Sequence, residues 1–468
     1  MKRNSKKLKI GYIGGGSRGW AHTFINDLAQ CEDLSGEVFL YDIDYEAAKR
    51  NEKFGNWVQS LNEAVGSWEY RAVKERKKAL DDADFVILSI QPGPIEHMAK
   101  DIDIPQKYGI YDTVCDTVGP GGTVRAMRTI PIYRDFARAI RKHCPDAWTI
   151  NYTNPMTVCT RTLYEEFPRI KAFGCCHEVF GTQSFLASLV RKYWDVEEEP
   201  SRDEIDVNVK GINHFTWIDR AEWRGRDLFP LLDRHVTEEG VVREFETEEM
   251  KEESYFVDNF QVTYELYKRF GILPAAGDRH LVEFVPWFLE DVDDPESLHR
   301  WGIRLTPNEY RLERWREAPK KFHKQMEGEE EFEFIDSGEE GIDQMKALLG
   351  LGDMKTNVNL PNQGQMPEMP EGAVVETNAY FSQNQISPVT AGKLPRQVRN
   401  MILTHVYNQE TLVEAGFKGD VDLAFQAFLN DPLVNLDTER ARELFEEMVR
   451  ETQDFLDDWN LKDSETLK

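Results

Sequence analysis

A glycine-rich loop near the start of the sequence carries the most specific chemical signal. It comprises Gly14, Gly15, Gly16, Ser17, Arg18 and Gly19 and fits the spacing G-x-G-x-x-G. Such a loop turns tightly, brings its backbone close to a pyrophosphate and directs the next helix's N-terminus at negative charge. Asp42 follows about twenty residues later, where a carboxylate binds a ribose hydroxyl. The pattern predicts an NAD site, with Asp42 favouring NAD over NADP; a turn without a ligand is the alternative.

A thiol and an imidazole form a second candidate group. Cys176 ends the strand-like run KAFGCC, and His214 stands in GINHFTW. A thiolate and an imidazole that converge at a cleft could hold a divalent ion with open positions for substrate oxygens. A buried cysteine and an unrelated core histidine would have the same spacing, so the spacing alone does not decide.

Two further segments concentrate polar groups. In NYTNPM, Asn154 precedes a proline and is therefore disfavoured in helical geometry, so its amide could face a cleft or serve in a turn. The segment AAGDRHLVEF gathers Asp278, Arg279, His280 and Glu283 between apolar residues. A plain loop would not need four such groups so close together.

Alternating strands and helices must position these groups. From Leu8 to about Trp194, short β-rich runs alternate with helical stretches, which predicts a parallel sheet with crossover helices. We expect Gly14 to allow the turn, Gly16 to admit the pyrophosphate and Gly19 to let a helix over Trp20 to Ala29 pack closely. The run SIQPG places Gln91 at the carboxyl edge of the sheet, where ligands of such folds bind.

The charged segment EEEPSRDE suggests a domain boundary. The prediction is an α/β protein with a Rossmann-like NAD-binding domain over residues 1–195. An α+β domain for substrate, metal and oligomerisation follows over residues 196–468. The acidic segments 247–253 and 327–341 are expected to be solvated faces or mobile loops, with a functional lid as the alternative.

Composition excludes several classes of function. The 468 residues carry 57 Lys and Arg against 84 Asp and Glu, a formal net charge of −27 that disfavours nucleic acid and anionic membrane surfaces as partners. No apolar run approaches the roughly 20 residues of a membrane span, and the basic start leads directly into a strand-like run without a signal peptide. The six cysteines show no C-x-x-C pair, so reduced thiols and a cytoplasmic location are expected.

Several of these segments together resemble one enzyme family. The chain is similar to glycoside hydrolase family 4, the glycosidases that need NAD and a divalent metal, and the run Cys176 to Val179 resembles its α-galacturonidase branch. The motifs that carry the resemblance are GGGS at 14–17, DTVGPGG at 116–122, NYTNPM at 151–156, GCCHEV at 174–179, GINHF at 211–215 and GDRHLVEF at 277–284. The resemblance implies a Rossmann domain followed by an α+β domain like that of lactate and malate dehydrogenases, and homodimers or homotetramers.

The resemblance also implies roles for individual residues. Cys176 and His214 would hold the metal, usually Mn²⁺, while Asp278 would remove the sugar C2 proton after NAD has oxidised C3. His177 occupies the position of a general acid in another branch, and Asn154 would bind a sugar hydroxyl. The remaining substrate-binding candidates are Glu178, Arg279 and Arg125, with a guanidinium suited to a uronate carboxylate; Arg18 is a further cation.

The predicted activity is hydrolysis of α-galacturonides by oxidation, elimination, addition and reduction. Three alternatives stay open. The first is another family 4 α-glycosidase acting on a glucoside, galactoside or glucuronide. The second is a 2-hydroxy-acid dehydrogenase of lactate or malate type, which would need no metal cysteine, and the third is a protein that binds NAD as a structural or sensing ligand.

Overall fold

A parallel sheet lies at the centre of the computed structural model, which describes residues 7–242, 245, 254–289 and 300–467. Its parallel strands are β1 (Leu8–Ile13), β2 (Ser35–Tyr41), β3 (Ser67–Val73), β4 (Phe85–Leu88), β5 (Trp148–Asn151) and β6 (Lys171–Gly174). They lie in the order β6-β5-β4-β1-β2-β3. All four residues of β4 are buried, because crossover helices cover both faces of a parallel sheet.

Helices connect these strands in the alternation that the sequence predicts. They are α1 (Trp20–Ala29), α2 (Tyr45–Val58), α3 (Arg76–Leu80), α4 (Ile95–Gln106), α5 (Gly119–His143), α6 (Met156–Glu166) and α7 (Glu178–Tyr193). The strand order reverses at β1, whose neighbours are β2 and β4. Ligands of open α/β sheets bind at such a switch point, outside the carboxyl ends of the strands. The predicted α/β fold with a Rossmann-like parallel sheet is confirmed.

The later part of the chain adds strands to this sheet and forms a second one. Strands β11 (Met354–Pro361), β12 (Val374–Ser382) and β13 (Gln385–Pro388) extend the first sheet in antiparallel fashion beyond β6. The second sheet contains β7 (Ile205–Ile212), β8 (Phe215–Trp223), β9 (Arg226–Asp227) and β10 (Leu273–Pro274). The larger sheet therefore includes strands from both sides of residue 195, and the boundary between 195 and 196 stays a prediction.

The remaining helices surround both sheets. They are α8 (Phe229–Glu238), α9 (Gln261–Phe270), α10 (Asp278–Phe284), α11 (Asn308–Glu327), α12 (Gly341–Leu348), α13 (Arg396–Lys418), α14 (Val421–Leu429) and α15 (Thr438–Glu451). Short 3-10 turns cover Arg202–Glu204 and Gln453–Phe455. Among the helices described, none is both long enough and apolar enough to cross a bilayer.

Helix α5 is anchored from several directions. Its Arg128 is fully buried and donates from Nη1 to Oδ1 of Asp101 at 3.1 Å, which fixes α5 to α4. From the opposite end of the chain, Nε1 of Trp459 donates to the carbonyl of Met127 at 2.9 Å. Because α5 begins inside the motif DTVGPGG, these contacts also fix the loop that precedes it.

The acidic segment 327–341 lies against the first helices. Phe332 packs on Trp57 at a ring-centroid distance of 5.3 Å and on Phe54 at 5.9 Å. The side-chain amide of Asn26 donates to the carbonyl of Ile335 at 2.6 Å. The expectation of a solvated or mobile segment is therefore wrong for its aromatic part, where apolar burial outweighs the surrounding charge. The other acidic segment, 247–253, lies outside the described residues.

Candidate dinucleotide and metal sites

The first turn of the glycine loop requires glycine at position 14. Gly14 has φ +87°, and a Cβ there would lie 1.9 Å from the carbonyl oxygen of Ser89. The amides of Gly14 and Gly15 both donate to the carbonyl of Tyr41, at 2.9 and 2.8 Å. The loop is thus fastened between the ends of β2 and β4.

The next glycines show where close packing occurs. A Cβ on Gly16 would lie 2.6 Å from Cβ of Ala47 and 2.9 Å from Oδ2 of Asp42, whereas one on Gly19 would meet no atom within 4 Å. The close contact expected at Gly19 is therefore absent, the entrance to α1 is open there, and the crowded position is Gly16, beside Ala47 of α2. Asp42, at the end of β2, accepts from the amide of Gly16 at 2.9 Å. An open helix N-terminus beside a carboxylate fits a dinucleotide.

Four polar residues form a chain along the carboxyl edge of the sheet. Arg125 donates from Nε to the carbonyl of Asn154 at 2.9 Å and from Nη2 to Oε1 of Gln91 at 3.4 Å. Nδ2 of Asn154 donates to Oδ2 of Asp116 at 2.9 Å. Gln91, Arg125 and Asn154, all candidates from the sequence, are therefore brought together, and Asp116 connects them to a group of histidines.

Asp116, His214 and His280 form that group. Each offers one potential ligand atom, and these atoms all lie within 4.8 Å of one another. The rings of His214 and His280 stack at 3.7 Å, and Oγ1 of Thr117 lies 2.8 Å from Nδ1 of His214. Burial, together with the neighbouring His280, lowers the pKa of His214 to about 3. His214 is therefore neutral at pH 7, the form in which imidazole binds a metal.

The group fits a divalent cation. Burial alone would raise the pKa of Asp116, but its neighbours His214, His280 and Arg125 lower that pKa to about 2, so the carboxylate is ionised. Nδ1 of His280 and Oδ1 of Asn154 are buried and have no hydrogen-bond partner among the described residues. An ionised carboxylate, two imidazoles and unpartnered buried atoms are donors that divalent transition metals accept.

Cys176 lies close to this group but outside the three-residue cluster. It is buried, and its thiol is near the side-chain amide of Asn213. Burial, and to a lesser extent the charge of Glu376, raises the pKa of the thiol well above its usual range. Its own carbonyl accepts from Nδ2 of Asn357 at 3.2 Å. Asn213 directly precedes His214, so the two predicted metal ligands are in adjacent surroundings, and Cys176 stays a predicted ligand.

Glu178 lies between the metal cluster and the carboxylates of Asp258 and Asp278. Its Oε2 accepts from the amide of Gly277 at 2.8 Å, and its Oε1 lies 3.6 Å from Nε2 of His280. Beyond Gly277, the amide of Asp278 donates to Oδ2 of Asp258 at 3.4 Å. Glu178 therefore borders the candidate metal site, as a substrate-binding residue would.

Asp278 is the first residue of α10, and its carboxylate lies at the N-terminus of helix α9. Its carboxylate accepts from the amides of Val262 and Thr263 at 2.9 and 2.8 Å, and from Oγ1 of Thr263 at 2.8 Å. Burial raises its pKa to about 6, and these hydrogen bonds oppose the rise. The predicted base directly follows Gly277, whose amide donates to Glu178 beside the histidines. Its carboxylate also caps helix α9.

Two other candidates are directed elsewhere. Arg279 donates from Nη2 to the carbonyl of Thr113 at 2.6 Å and to Oγ1 of Thr306 at 2.8 Å, so it braces the loop before Asp116. His177 is half-exposed, and its Nδ1 lies 2.9 Å from Oε1 of Glu339. Neither side chain is among the three metal-cluster residues.

The motifs DTVGPGG and GDRHLVEF contain Asp116 and His280, but their spacing assigns neither residue to the metal. Glu283 was noted only as polar, yet its Oε1 accepts from the amides of Val114 and Cys115 at 2.6 and 2.9 Å and so shapes the loop that carries Asp116. The available signal was an acid in the loop between α4 and α5 and a histidine in a polar cluster. Their convergence with His214 depends on folding.

The fold and the site together describe an α/β protein with a glycine loop that fits a dinucleotide and a residue cluster that fits a divalent cation at one sheet edge. Residues 9–192 match the description Family 4 glycosyl hydrolase, and residues 209–434 match Family 4 glycosyl hydrolase C-terminal domain. The chain therefore belongs to family 4 of the glycosyl hydrolases, which confirms the resemblance found in the sequence.

Individual relatives cover almost the whole chain. An α-galacturonidase of Thermoanaerobacterium saccharolyticum is 51% identical over 460 residues, which are 97% of this chain and 98% of that protein. The crystal structure of LplD from Bacillus subtilis has a TM-score of 0.88 at 47% identity and covers 94% of this chain and 99% of its own. A 6-phospho-α-glucosidase from gut microorganisms, in complex with NAD and Mn²⁺, shares the fold with a TM-score of 0.79 at 21% identity, covering 96% and 99% of the two chains.

Proposed function

We propose that this protein hydrolyses α-galacturonides with NAD and a divalent metal ion, Mn²⁺ in the first instance. The observation that carries the proposal is the polar chain from Gln91 through Arg125 and Asn154 to Asp116, which leads from the dinucleotide edge of the sheet to the histidine cluster. The substrate is supported by the relative named an α-galacturonidase at 51% identity. The two cofactors are supported by the more distant neighbour solved with NAD and Mn²⁺.

The binding roles follow from the groups on each side of the site. The glycine loop and the open start of α1 bind the pyrophosphate, and Asp42 binds a ribose hydroxyl. Asp116, His214 and His280 hold the metal ion, with Cys176 as a further ligand. When bound, NAD supplies reversible hydride transfer and the metal supplies a Lewis acid for sugar oxygens.

The remaining groups orient the sugar and move protons. Oδ1 of Asn154 has no partner among the described residues and accepts from a sugar hydroxyl. Asp278 and Asp258 form a buried pair in which burial and the neighbouring charge raise the pKa of Asp258 well above its usual range, so one proton is held near neutral pH. In this proposal Asp258 holds that proton, and the ionised Asp278 takes the C2 proton. His177 donates to the leaving oxygen, and Glu339 fixes its ring.

The carboxylate of a uronate needs a cation close to the metal. Arg125 is buried, is connected to Asn154 and faces Asp116, whereas Nη1 and Nη2 of Arg279 donate to backbone carbonyls and to Thr306. We therefore favour Arg125 over Arg279 as the guanidinium that orients the sugar acid, because Arg125 lies beside Asn154 and Asp116 at the candidate metal site, whereas Arg279 braces a loop.

We also propose a cytoplasmic homodimer or homotetramer. All six cysteines are unpaired and buried, as expected for a protein that keeps its thiols reduced. Size-exclusion chromatography with light scattering would give the number of subunits, and a monomer at micromolar concentration would contradict this part.

One assay tests the activity. The protein is incubated with 4-nitrophenyl α-galacturonide, NAD, Mn²⁺ and a thiol, and release of nitrophenol without net NADH is expected because the hydride is returned. Cleavage of the α-glucuronide or α-glucoside but not the galacturonide would replace the substrate with that of another family branch. Net NADH with a 2-hydroxy acid, and no cleavage of any glycoside, would overturn the proposal in favour of a dehydrogenase.

A further inference from the structure

Helix α11 has a composition and burial unlike those of the other long helices. It is 20 residues long, and Gln325 is its only fully buried residue. Helix α5, by comparison, buries sixteen of its 25 residues. A helix that buries almost none of its own surface adds little to a core, so its position needs another explanation.

The two ends of α11 are attached to opposite faces of the main sheet. Helices α1 and α2 connect the strands from β1 to β3, and right-handed crossovers place them on one face of the sheet. Helix α4 follows β4 on the other side of β1 and therefore lies on the opposite face. At one end, Nδ2 of Asn308 donates to Oδ1 of Asp103 in α4 at 2.6 Å. At the other end, Phe322 stacks on His22 of α1 at 3.5 Å and lies 5.1 Å from Phe54 of α2. The helix therefore crosses an edge of the sheet.

The middle of α11 identifies which edge it crosses. The guanidinium of Arg18 lies 3.3 Å from the ring centroid of Trp315, and its Nη1 donates to the carbonyl of Trp315 at 2.8 Å. Arg18 belongs to the glycine loop at the carboxyl end of β1. Helix α11 thus passes over the switch point of the sheet, directly outside the loop that faces the pyrophosphate.

The chain after α11 continues this path along α1. Oγ of Ser337 donates to Oδ2 of Asp27 at 2.7 Å, and Glu339 then reaches His177. The segment 308–340 is consequently held at α4, at the glycine loop, on α1 and beside the metal side of the cleft.

We propose that segment 308–340 forms the outer wall of the dinucleotide site and that it retains a bound nicotinamide dinucleotide through successive turnovers. This inference rests on the proposed function, in which the hydride returns to the same dinucleotide and release is not needed. Trp315 is the positioning residue of this wall, because it holds the arginine of the glycine loop by a ring contact and a carbonyl. Release of the dinucleotide requires α11 to separate from Arg18.

The test measures how fast the dinucleotide leaves. NADH bound to the protein is displaced by excess NAD⁺ in a stopped-flow instrument, and loss of NADH fluorescence gives the dissociation rate constant. Trp315→Ala is expected to raise this rate about tenfold, since a partly buried cation-π contact is worth roughly one factor of ten. Asn308→Ala and Phe322→Ala, which loosen the two ends, should raise it several-fold, and Trp315→Phe should restore most of the retention.

The matched control is Arg316→Ala, an exposed residue next to Trp315 on the same helix, and it should release NADH at the wild-type rate. Circular dichroism melts identify any variant that does not fold. A measurement that needs no variant is trypsin cleavage at the exposed Lys320 and Lys321, which saturating NAD⁺ should slow.

The outcomes separate this inference from the proposed function. If wild-type protein binds no NADH, the proposed function fails and the wall fails with it. If wild-type protein binds NADH but the three alanine variants release it at the wild-type rate, and NAD⁺ does not protect Lys320 and Lys321, the wall alone is overturned.

Discussion

The dinucleotide end and the metal end of this molecule are assembled in different ways. At the dinucleotide end, the loop and Asp42 come from one β-α-β unit, and backbone contacts such as Gly14 to Tyr41 fix their geometry. At the metal end, Asp116, His214 and His280 come from three segments separated by many residues and meet through side chains. The first end is a local backbone design, whereas the second depends on the packing of both sheets.

This difference predicts different sensitivities. The dinucleotide site, which backbone groups form, should lose affinity when a side chain is added where none fits. The metal site, which side chains form, should lose affinity when a ligand atom is removed. Loss of one end should leave the other measurable, because the described hydrogen bonds by which Gln91, Arg125 and Asn154 connect the two ends each start from a side-chain donor. The following variants test that separation, beginning with the largest expected effect.

Gly14→Ala should abolish the dinucleotide site. The new Cβ would lie 1.9 Å from the carbonyl of Ser89 at a φ of +87°, so the loop must move away from β4. We expect NAD affinity, measured by isothermal titration calorimetry, to fall by at least about a hundredfold. Gly19→Ala is the control for folding, since its Cβ meets no atom within 4 Å and its melting temperature should stay near that of wild type. Wild-type NAD affinity in Gly14→Ala would contradict the backbone design.

Asp116→Asn and His280→Gln should weaken the metal site while leaving NAD binding in place. Removal of one charged or imidazole ligand is expected to lower Mn²⁺ affinity roughly 10- to 100-fold, and chelation by EDTA should remove glycosidase activity. Electron paramagnetic resonance of free Mn²⁺ gives the affinity. His143→Gln, remote from the cluster and paired with Asp81, is the control. Unchanged Mn²⁺ affinity in both variants, with loss in Cys176→Ser, would move the site toward the cysteine.

Asp278→Asn separates a base from a helix cap. As a cap, the carboxylate contributes about 1 kcal/mol to stability, which urea unfolding measures. As the base, it controls exchange of the sugar C2 proton with solvent deuterium, which NMR follows, and the exchange should slow by at least about a hundredfold. Thr263→Ala, which removes one hydrogen bond to the same carboxylate, is the control for stability alone. Lowered stability with unchanged exchange would leave Asp278 as a cap only.

Asp27→Asn should change the pH dependence of stability by a small amount. Burial raises the pKa of Asp27 to about 6 from 3.8, so the folded protein holds this proton more tightly than the unfolded chain does. The contribution of Asp27 is therefore full below about pH 4 and is lost as the pH rises through about 6. Wild-type protein should lose roughly 1–2 kcal/mol from this group between pH 5 and 7, and Asp27→Asn should not.

Urea unfolding at the two pH values measures this loss. Asp33→Asn, an exposed acid near the same helix, should behave like wild type. The same pH dependence in wild type and Asp27→Asn would show that segment 308–340 does not bury Asp27 in solution.

Sequence reasoning was most successful where chemistry is local. The helix over Trp20 to Ala29, the alternation of strands and helices and the place of Asp42 after β2 agree with the structure. The close packing expected at Gly19 is absent and Gly16 is the crowded glycine, because spacing does not reveal which glycine faces Ala47. The expectation for segment 327–341 is also wrong in its aromatic part, because Phe332 packs on α2 and Phe334 packs on Phe332.

The sequence by itself determined the dinucleotide loop, the fold class and the family, because backbone conformation and strand periodicity are encoded over short distances. Only the tertiary structure decided that Asp116 and His280 join His214, that Arg279 braces a loop and that α11 lies over Arg18. Those contacts join residues far apart in the chain, and no local pattern specifies which distant side chains will meet.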